Sequence, residues 1–102
     1  MESQHEGQAV VVTGAGHGIG QAIAERFAEA GARVAVNDVD PERVEAVVAG
    51  IADSDGTAIG AVADVSDRSQ VDAMFDAVLE SFGTVDVLVN NAGLVGPMLH
   101  FF

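Results

Sequence analysis

The sequence predicts an α/β fold in which a parallel sheet lies between two layers of helices. Four short apolar runs of strand length alternate with three longer segments whose apolar residues recur at helical spacing. Glycine, proline or aspartate stands at most boundaries between these segments. Because strands that alternate with helices form parallel sheets with right-handed crossovers, the order β-α-β-α-β-α-β predicts a three-layer, partly doubly wound sheet.

The first helix lies between two apolar strands and begins in a glycine-rich turn. We predict strand one over residues 8–13, helix one over 18–30 and strand two over 33–38. Gly31 follows the helix as its stop signal. The apolar residues of this helix share one face, as packing on a sheet requires: Ile19, Ala22, Ile23, Phe27 and Ala30.

The second helix has a clear start signal. Asp40 is a favourable N-cap residue, and Pro41 occupies the first helical position, where a missing N–H breaks no helical hydrogen bond. We predict that this helix ends near Gly50 and that strand three follows over residues 57–63.

The third helix has the most regular apolar period of the chain. We predict that Ser66 caps its start and that Gly83 ends it, with strand four following over residues 85–90. Strand four thereby becomes the last regular element that the pattern predicts.

The composition excludes several classes of protein. The 102 residues form one domain at most, and 4 basic against 16 acidic residues give a net charge of −12. A chain this acidic has no general attraction to nucleic acid or anionic membranes. It contains no cysteine for disulfides and no apolar run near the roughly 18 residues of a membrane span. Because its polar start is no signal peptide, we expect a cytoplasmic protein.

Three parts are predicted along the chain. Residues 1–7 are interpreted as a disordered leader, residues 8–93 as the folded domain and residues 94–102 as an apolar tail. The tail ends on two phenylalanines without a polar cap, which favours a truncated chain. A hydrophobic tail that docks on the domain is the alternative.

The turn between strand one and helix one indicates nucleotide binding. Residues 13–20 read Thr-Gly-Ala-Gly-His-Gly-Ile-Gly, in which the glycines permit positive φ and let a phosphate approach the N–H groups at the helix start. Asp38, at the end of strand two, is placed to accept the ribose hydroxyls of an adenosine. An ordinary βαβ turn is the alternative, but such a turn needs one glycine where this one has four.

With these motifs placed, the chain resembles the N-terminal part of the short-chain dehydrogenase/reductase family, in its classical branch. Four features carry the resemblance: the turn at residues 13–20, Asp38, the pair Asp64-Val65 and the segment Asn90-Asn91-Ala92-Gly93. The extended branch would have a glycine at the position of His17. The resemblance covers residues 8–93 and, with the crossover rule, implies the strand order 3-2-1-4 with helices one and two on one face.

The resemblance implies a Rossmann-like site for NAD, preferred over NADP because Asp38 would repel a 2′-phosphate. His17 as an exposed loop residue, and Asp64 as a cap of the next helix, are the alternatives for those two positions. The expected cofactor-binding residues are Gly14, His17, Gly18, Ile19, Gly20, Asp38, Val39, Asp64, Val65, Asn90, Ala92 and Gly93.

The catalytic residues of the family have no counterpart in this chain. The resemblance implies a tyrosine as acid-base, a lysine four residues on and a serine beyond strand four, yet the chain contains no tyrosine and its four basic residues are all arginines. His100, the only substitute acid, has no partner that would orient it. We therefore expect no catalytic residue and no metal site here. Two hypotheses remain: the N-terminal part of an NAD-dependent oxidoreductase, or a non-catalytic nucleotide-binding or self-assembling module.

The sequence also predicts that the chain associates with itself. Strand four would be an open sheet edge, and the third helix with the apolar tail would expose an apolar surface. We expect a homodimer or larger assembly formed through the edge of strand four or through helix three and the tail.

Overall fold

The computed structural model describes residues 5–91, which form one parallel sheet with helices on both faces. The sheet has the order β3-β2-β1-β4, which confirms the predicted topology. Ala92, Gly93 and the predicted tail at 94–102 lie outside the described residues. The elements are β1 (Ala9–Val12), α1 (Gly18–Glu29), β2 (Arg33–Asp38), α2 (Pro41–Asp53), β3 (Thr57–Val62), α3 (Arg68–Phe82) and β4 (Val87–Val89).

The central strand β1 sets the register of the sheet. Val10 pairs with Val34 of β2 on one side and with Val87 of β4 on the other. All pairs are parallel, so the carboxyl ends of the strands meet at one edge of the sheet. Every predicted site residue that the structure describes lies at one of these strand ends or in the turn or helix start that follows it.

Alternating side chains of the strands build two separate cores. Val10, Val12, Val34 and Val36 face α1 and α2, where they pack with Val44, Val47 and Ile51. This confirms that helices one and two cover one face. On the other face, the smaller strand residues pack against α3: Ala9, Val11 and Ala35 with Met74, Val78 and Phe82. Successive strand side chains point to opposite faces, so each strand contributes to both cores.

Three predicted helix boundaries differ from the structure: the ends of the first two helices and the start of the third. Helix α1 ends at Glu29, one residue earlier than predicted, and helix α2 continues through Gly50 to Asp53. Gly50 stands at an open position, where a Cβ would meet nothing within 4 Å, and an isolated glycine is tolerated within a helix. After the end of α2, the chain turns back on the helix: the N–H of Gly56 donates to the carbonyl of Ile51 at 2.9 Å.

The predicted cap of α3 is wrong by one residue. Asp67, not Ser66, is the N-cap, and its carboxylate accepts hydrogen bonds from the N–H groups of Ser69 (2.9 Å) and Gln70 (3.3 Å). Ser66 instead donates to Asp64. The two neighbouring residues are both good cap formers, and sequence preference alone does not separate them.

Strand β4 is shorter than predicted because side-chain bonding replaces the ladder at its start. Asp86 accepts a hydrogen bond from the N–H of Ala9 through its carboxylate, at 2.8 Å, and donates its own N–H to the carbonyl of Ala9 at 2.8 Å. This exchange joins the last strand to the first before regular pairing begins at Val87.

The described end of the predicted leader contacts the bottom of α1. The N–H groups of His5 and Gly7 donate to the carbonyls of Ala30 and Gly31, and the His5 ring lies 5.0 Å from the Phe27 ring. Within residues 5–91, no helix is both long and apolar enough to cross a membrane.

Candidate functional site

The glycine-rich turn is bonded to the end of β2 through three successive N–H groups. Gly14 donates to the side-chain oxygen of Asn37 at 3.3 Å, Ala15 to the carbonyl of Asn37 at 2.6 Å and Gly16 to Oδ2 of Asp38 at 3.0 Å. These bonds fix the turn against the neighbouring strand. They also mean that the first half of the turn has no N–H group left over for a ligand.

The second half of the turn, at the start of α1, has the opposite property. The N–H groups of Gly18, Ile19 and Gly20 have no acceptor among the described residues. His17 stands at the N-cap with extended backbone and makes no capping bond with its side chain. The free N–H groups and the helix dipole together give this end a partial positive charge. Such an end binds an anion, above all a phosphate.

At two positions of the turn, the structure shows why the residue is a glycine. Gly18 has φ of 61°, in the left-handed region that side chains disfavour. A Cβ built at Gly20 would lie 2.1 Å from the carbonyl oxygen of Gly14, so only glycine lets α1 begin this close to the turn. Gly20 does not line the cleft described below, and its side of the helix faces the turn itself.

Asp38 ends β2 with a carboxylate that is almost completely enclosed by backbone N–H groups. Its Oδ1 accepts from Val39 at 2.8 Å and from Asp40 at 3.3 Å, and its Oδ2 accepts from Gly16. The residue is 8% exposed. Nδ1 of His17 lies 3.7 Å from Oδ2.

Asn37 is a site residue that sequence reasoning missed. Its side chain is completely buried, accepts from Gly14 and donates to the carbonyls of Ala61 (2.8 Å) and Ala63 (3.2 Å). One amide therefore links the turn, β2 and the end of β3. The sequence gives only a weak signal for this role: a polar residue stands within the apolar run of β2, and it must find partners when buried, but the sequence does not identify those partners.

Asp64 follows β3 and closes a small turn of its own. Its Oδ1 accepts from the N–H (2.9 Å) and the hydroxyl (2.6 Å) of Ser66. These bonds, the hydroxyl first, lower the pKa of the Asp64 carboxyl below its ordinary value of 3.8. The cap of α3 is Asp67, so Asp64 does not have the capping role considered as its alternative.

The segment after β4 packs against the turn through Thr13. Asn90 accepts a bond from the Thr13 hydroxyl at 3.3 Å, and the N–H of Asn91 donates to that hydroxyl at 2.8 Å. The Asn91 side chain donates to the carbonyl of Gly14 at 3.3 Å. Asn91, which was not among the expected cofactor-binding residues, lines the cleft, whereas Asn90 does not.

The turns meet around a cleft of about 640 Å³ at the carboxyl edge of the sheet. It brings together most of the predicted site residues that the structure describes, but Gly20 and Asn90 do not line it. Among residues 5–91, no group of three or more histidine, cysteine or acidic side chains is placed to hold a metal ion. The lining residues are Gly14, His17, Gly18, Ile19, Asn37, Asp38, Val39, Ala63, Asp64, Val65, Ser66 and Asn91.

The topology and this cleft define the class: a Rossmann-like nucleotide-binding fold, with its site at the carboxyl ends of the parallel strands. The model of the short chain dehydrogenase family matches residues 8–101, nearly the whole chain. The chain therefore belongs to the short-chain dehydrogenase/reductase family.

Similar proteins differ in what they act on. The D-threitol dehydrogenase of Mycolicibacterium smegmatis is 44% identical over 87% of this chain and 34% of its own length. A 7α-hydroxysteroid dehydrogenase solved with NADH and 7-oxo glycochenodeoxycholic acid superposes with a TM-score of 0.88, at 38% identity, over 94% of this chain and 38% of that one. A metagenomic short-chain oxidoreductase solved with NADP gives 0.83, at 43% identity, over 87% and 40%. The chain thus spans about a third of the length of the curated relatives it matches.

Proposed function

We propose that this chain is the dinucleotide-binding part of an NAD-linked oxidoreductase that transfers hydride between NAD(H) and an alcohol or carbonyl compound. The observation that carries the proposal is the juxtaposition of two features in one cleft. The start of α1 has three N–H groups without an acceptor among residues 5–91, and two of these belong to Gly18 and Ile19, which line the same cleft as the buried Asp38 carboxylate. In this fold, a dinucleotide presents its pyrophosphate to the start of the first helix and its adenosine ribose to an acidic residue that follows the second strand.

Each part of the cofactor has residues that suit it. The pyrophosphate would lie on the N–H groups of Gly18 and Ile19, which line the cleft, and Gly20 would allow the helix to begin close enough to the turn for this contact. The adenosine ribose would donate its hydroxyls to Asp38. The adenine would lie beside Asp64 and Val65, which line the same cleft on the far side of β2. The bound cofactor would supply or take up the hydride.

The preference for NAD over NADP follows from charge. Among residues 5–91, no arginine or lysine lines the cleft, and the carboxylate of Asp38 is held in place by three backbone N–H groups. A 2′-phosphate would meet this carboxylate without a cation to offset the repulsion. The guanidinium of nearby Arg43 pairs with Asp40 instead, at 3.4 Å. The relatives solved with NADH and with NADP show that the family uses both cofactors.

A binding experiment tests the cofactor site. We expect NADH to bind the 102-residue chain, with Asp38→Ala weakening binding by about tenfold or more, because a hydrogen bond to a charged group is lost. The chain has no tryptophan, so the fluorescence of NADH can be followed directly. Asp76→Ala is the matched control, because it removes the same charge from the exposed surface of α3. Absence of binding at millimolar NADH would overturn the proposal.

We also propose that this chain binds the cofactor without turning it over. The sequence contains neither tyrosine nor lysine, so the acid-base pair that the family resemblance implies cannot be assembled from its residues. Reduction of NAD⁺ by the purified chain with an alcohol substrate would contradict this.

Self-association is the third part of the proposal. Strand β4 pairs with β1 on one side, and no strand of residues 5–91 covers its other side. Unpaired backbone groups of an edge strand recruit another strand, and a second copy of β4 would suit them. We expect a dimer in sedimentation equilibrium at low micromolar concentration, and a stable monomer would contradict the prediction.

A further inference from the structure

Gly16 lies in closer contact with Asp38 than any side chain would permit. Its N–H donates to Oδ2 of Asp38 at 3.0 Å. A Cβ built at Gly16 would lie 2.7 Å from that same oxygen, 2.9 Å from the carboxyl carbon and 2.9 Å from Cβ of Arg43. A Cβ essentially never lies closer than 3.0 Å to a non-bonded heavy atom, so a side chain at this position would force the carboxylate or the turn to shift.

The backbone of Gly16 does not explain why the residue is a glycine. The positive-φ glycines near it are Gly14 and Gly18, and Gly16 is not among them. A residue with a side chain could adopt its backbone conformation without strain. The packing against Asp38 and Arg43 is therefore the reason for a glycine here, which separates Gly16 from its two neighbours in the turn.

The bonds of the Asp38 carboxylate determine what it can still accept. Oδ1 already receives the N–H groups of Val39 and Asp40, whereas Oδ2 receives that of Gly16 and has room for one more donor. Hydrogen bonds to a carboxylate lose strength quickly when the oxygen moves or rotates. The position of Oδ2 is thus set by the contact with Gly16.

We propose that Gly16 is a positioning residue for cofactor specificity, which acts by holding Oδ2 of Asp38 where a ribose hydroxyl can donate to it. This inference rests on the proposed function, since it concerns the same dinucleotide site. A methyl group at position 16 would push the carboxylate away and break the N–H bond from the turn. The site would then lose its advantage for a cofactor with a free 2′-hydroxyl over one with a 2′-phosphate.

The experiment compares the dissociation constants of NADH and NADPH by fluorescence for the 102-residue chain and its variants. We expect Gly16→Ala to lower the preference for NADH over NADPH by about tenfold, the worth of one charge-assisted hydrogen bond. Gly50→Ala is the matched control, because a Cβ there meets nothing within 4 Å. The control should leave both constants unchanged.

A double variant shows whether Gly16 acts through Asp38. In the Asp38→Ala background, Gly16→Ala should cause no further change in the preference, because the group it displaces is gone. An additional change of the same size in that background would overturn the inference. So would an unchanged preference in the single variant.

Folding of the variants gives an independent result. If Gly16→Ala does not fold by circular dichroism but Gly16→Ala with Asp38→Ala does, the contact with the carboxylate is the cause and the inference stands. If neither folds although Asp38→Ala alone does, the contact with Arg43 dominates and the inference fails. Failure of the proposed function looks different, because the unmodified chain would then bind neither NADH nor NADPH.

Discussion

The three helices begin at the same edge of the sheet, but they begin in two different ways. At the starts of α2 and α3, the carboxylates of Asp40 and Asp67 accept the first free N–H groups of their helices. At the start of α1, His17 makes no capping bond, and the N–H groups of Gly18 to Gly20 have no acceptor among the described residues. Both capped starts are closed by the protein itself.

This difference separates structural helix starts from the one that faces the cleft. A cap residue stabilises a helix in the absence of any ligand. An uncapped start keeps its N–H groups for an anion, and α1 obtains its stability from close glycine packing and from the apolar core beneath it. The missing cap is therefore as informative about function as the glycines beside it.

The largest effect is expected where the packing of the α1 start is broken. Gly20→Ala places a Cβ against the carbonyl of Gly14, and we expect it to lower the free energy of unfolding by about 3 kcal/mol and to abolish NADH binding. Urea unfolding followed by circular dichroism measures the change. Gly50→Ala, in the open part of α2, should instead raise stability by up to about 1 kcal/mol. Equal stability of the Gly20 variant and the unmodified chain would show that the close approach is not needed.

A smaller effect is expected where a cap is removed. Asp40→Ala should lower the free energy of unfolding by about 1 kcal/mol, because two N–H groups of α2 lose their acceptor. His17→Ala is the comparison at the uncapped start, and it should change stability by less than about 0.5 kcal/mol. If both substitutions lower the free energy of unfolding by the same amount in urea, the α1 start depends on its N-cap residue as much as the α2 start does.

The smallest effect is expected from acid. Hydrogen bonds from Ser69 and Gln70, the Ser69 hydroxyl first, lower the pKa of Asp67 below 3.8. Its contribution to stability is complete above that value and is lost as the pH falls through the lower pKa of the folded state. In the Asp67→Asn variant, the asparagine still caps α3 but does not titrate. The free energy of unfolding of this variant should therefore fall less than that of the unmodified chain between about pH 5 and about pH 2.5. An equal loss of unfolding free energy in the two proteins between these pH values would contradict this.

The fold was predictable from sequence because local signals and the apolar period agree. The dipeptide Asp40-Pro41 marks the start of α2 at the observed residue, and the alternation of strands and helices predicts the parallel sheet. The strand order followed from the family resemblance together with the crossover rule. The end of α2 was wrong because Gly50 was interpreted as a stop, although a glycine on an exposed helical position need not end the helix.

The site was predictable where chemistry is carried by a motif and less so where it depends on three-dimensional packing. Asp38 and the turn were found from their types and positions. The role of Asn37 depends on carbonyl groups of Ala61 and Ala63 that come close only in the folded sheet. No pattern along the chain reports such a contact, because the partners are more than twenty residues away.

The pairing of the first and last strands has a consequence for how the chain folds. β1 pairs with β2 after a short crossover, but its other neighbour is β4, with Val10 opposite Val87. Contacts between residues this far apart along the chain form late, because a long loop must close first. During synthesis, one side of the central strand therefore has no partner until residues 87–89 have been made.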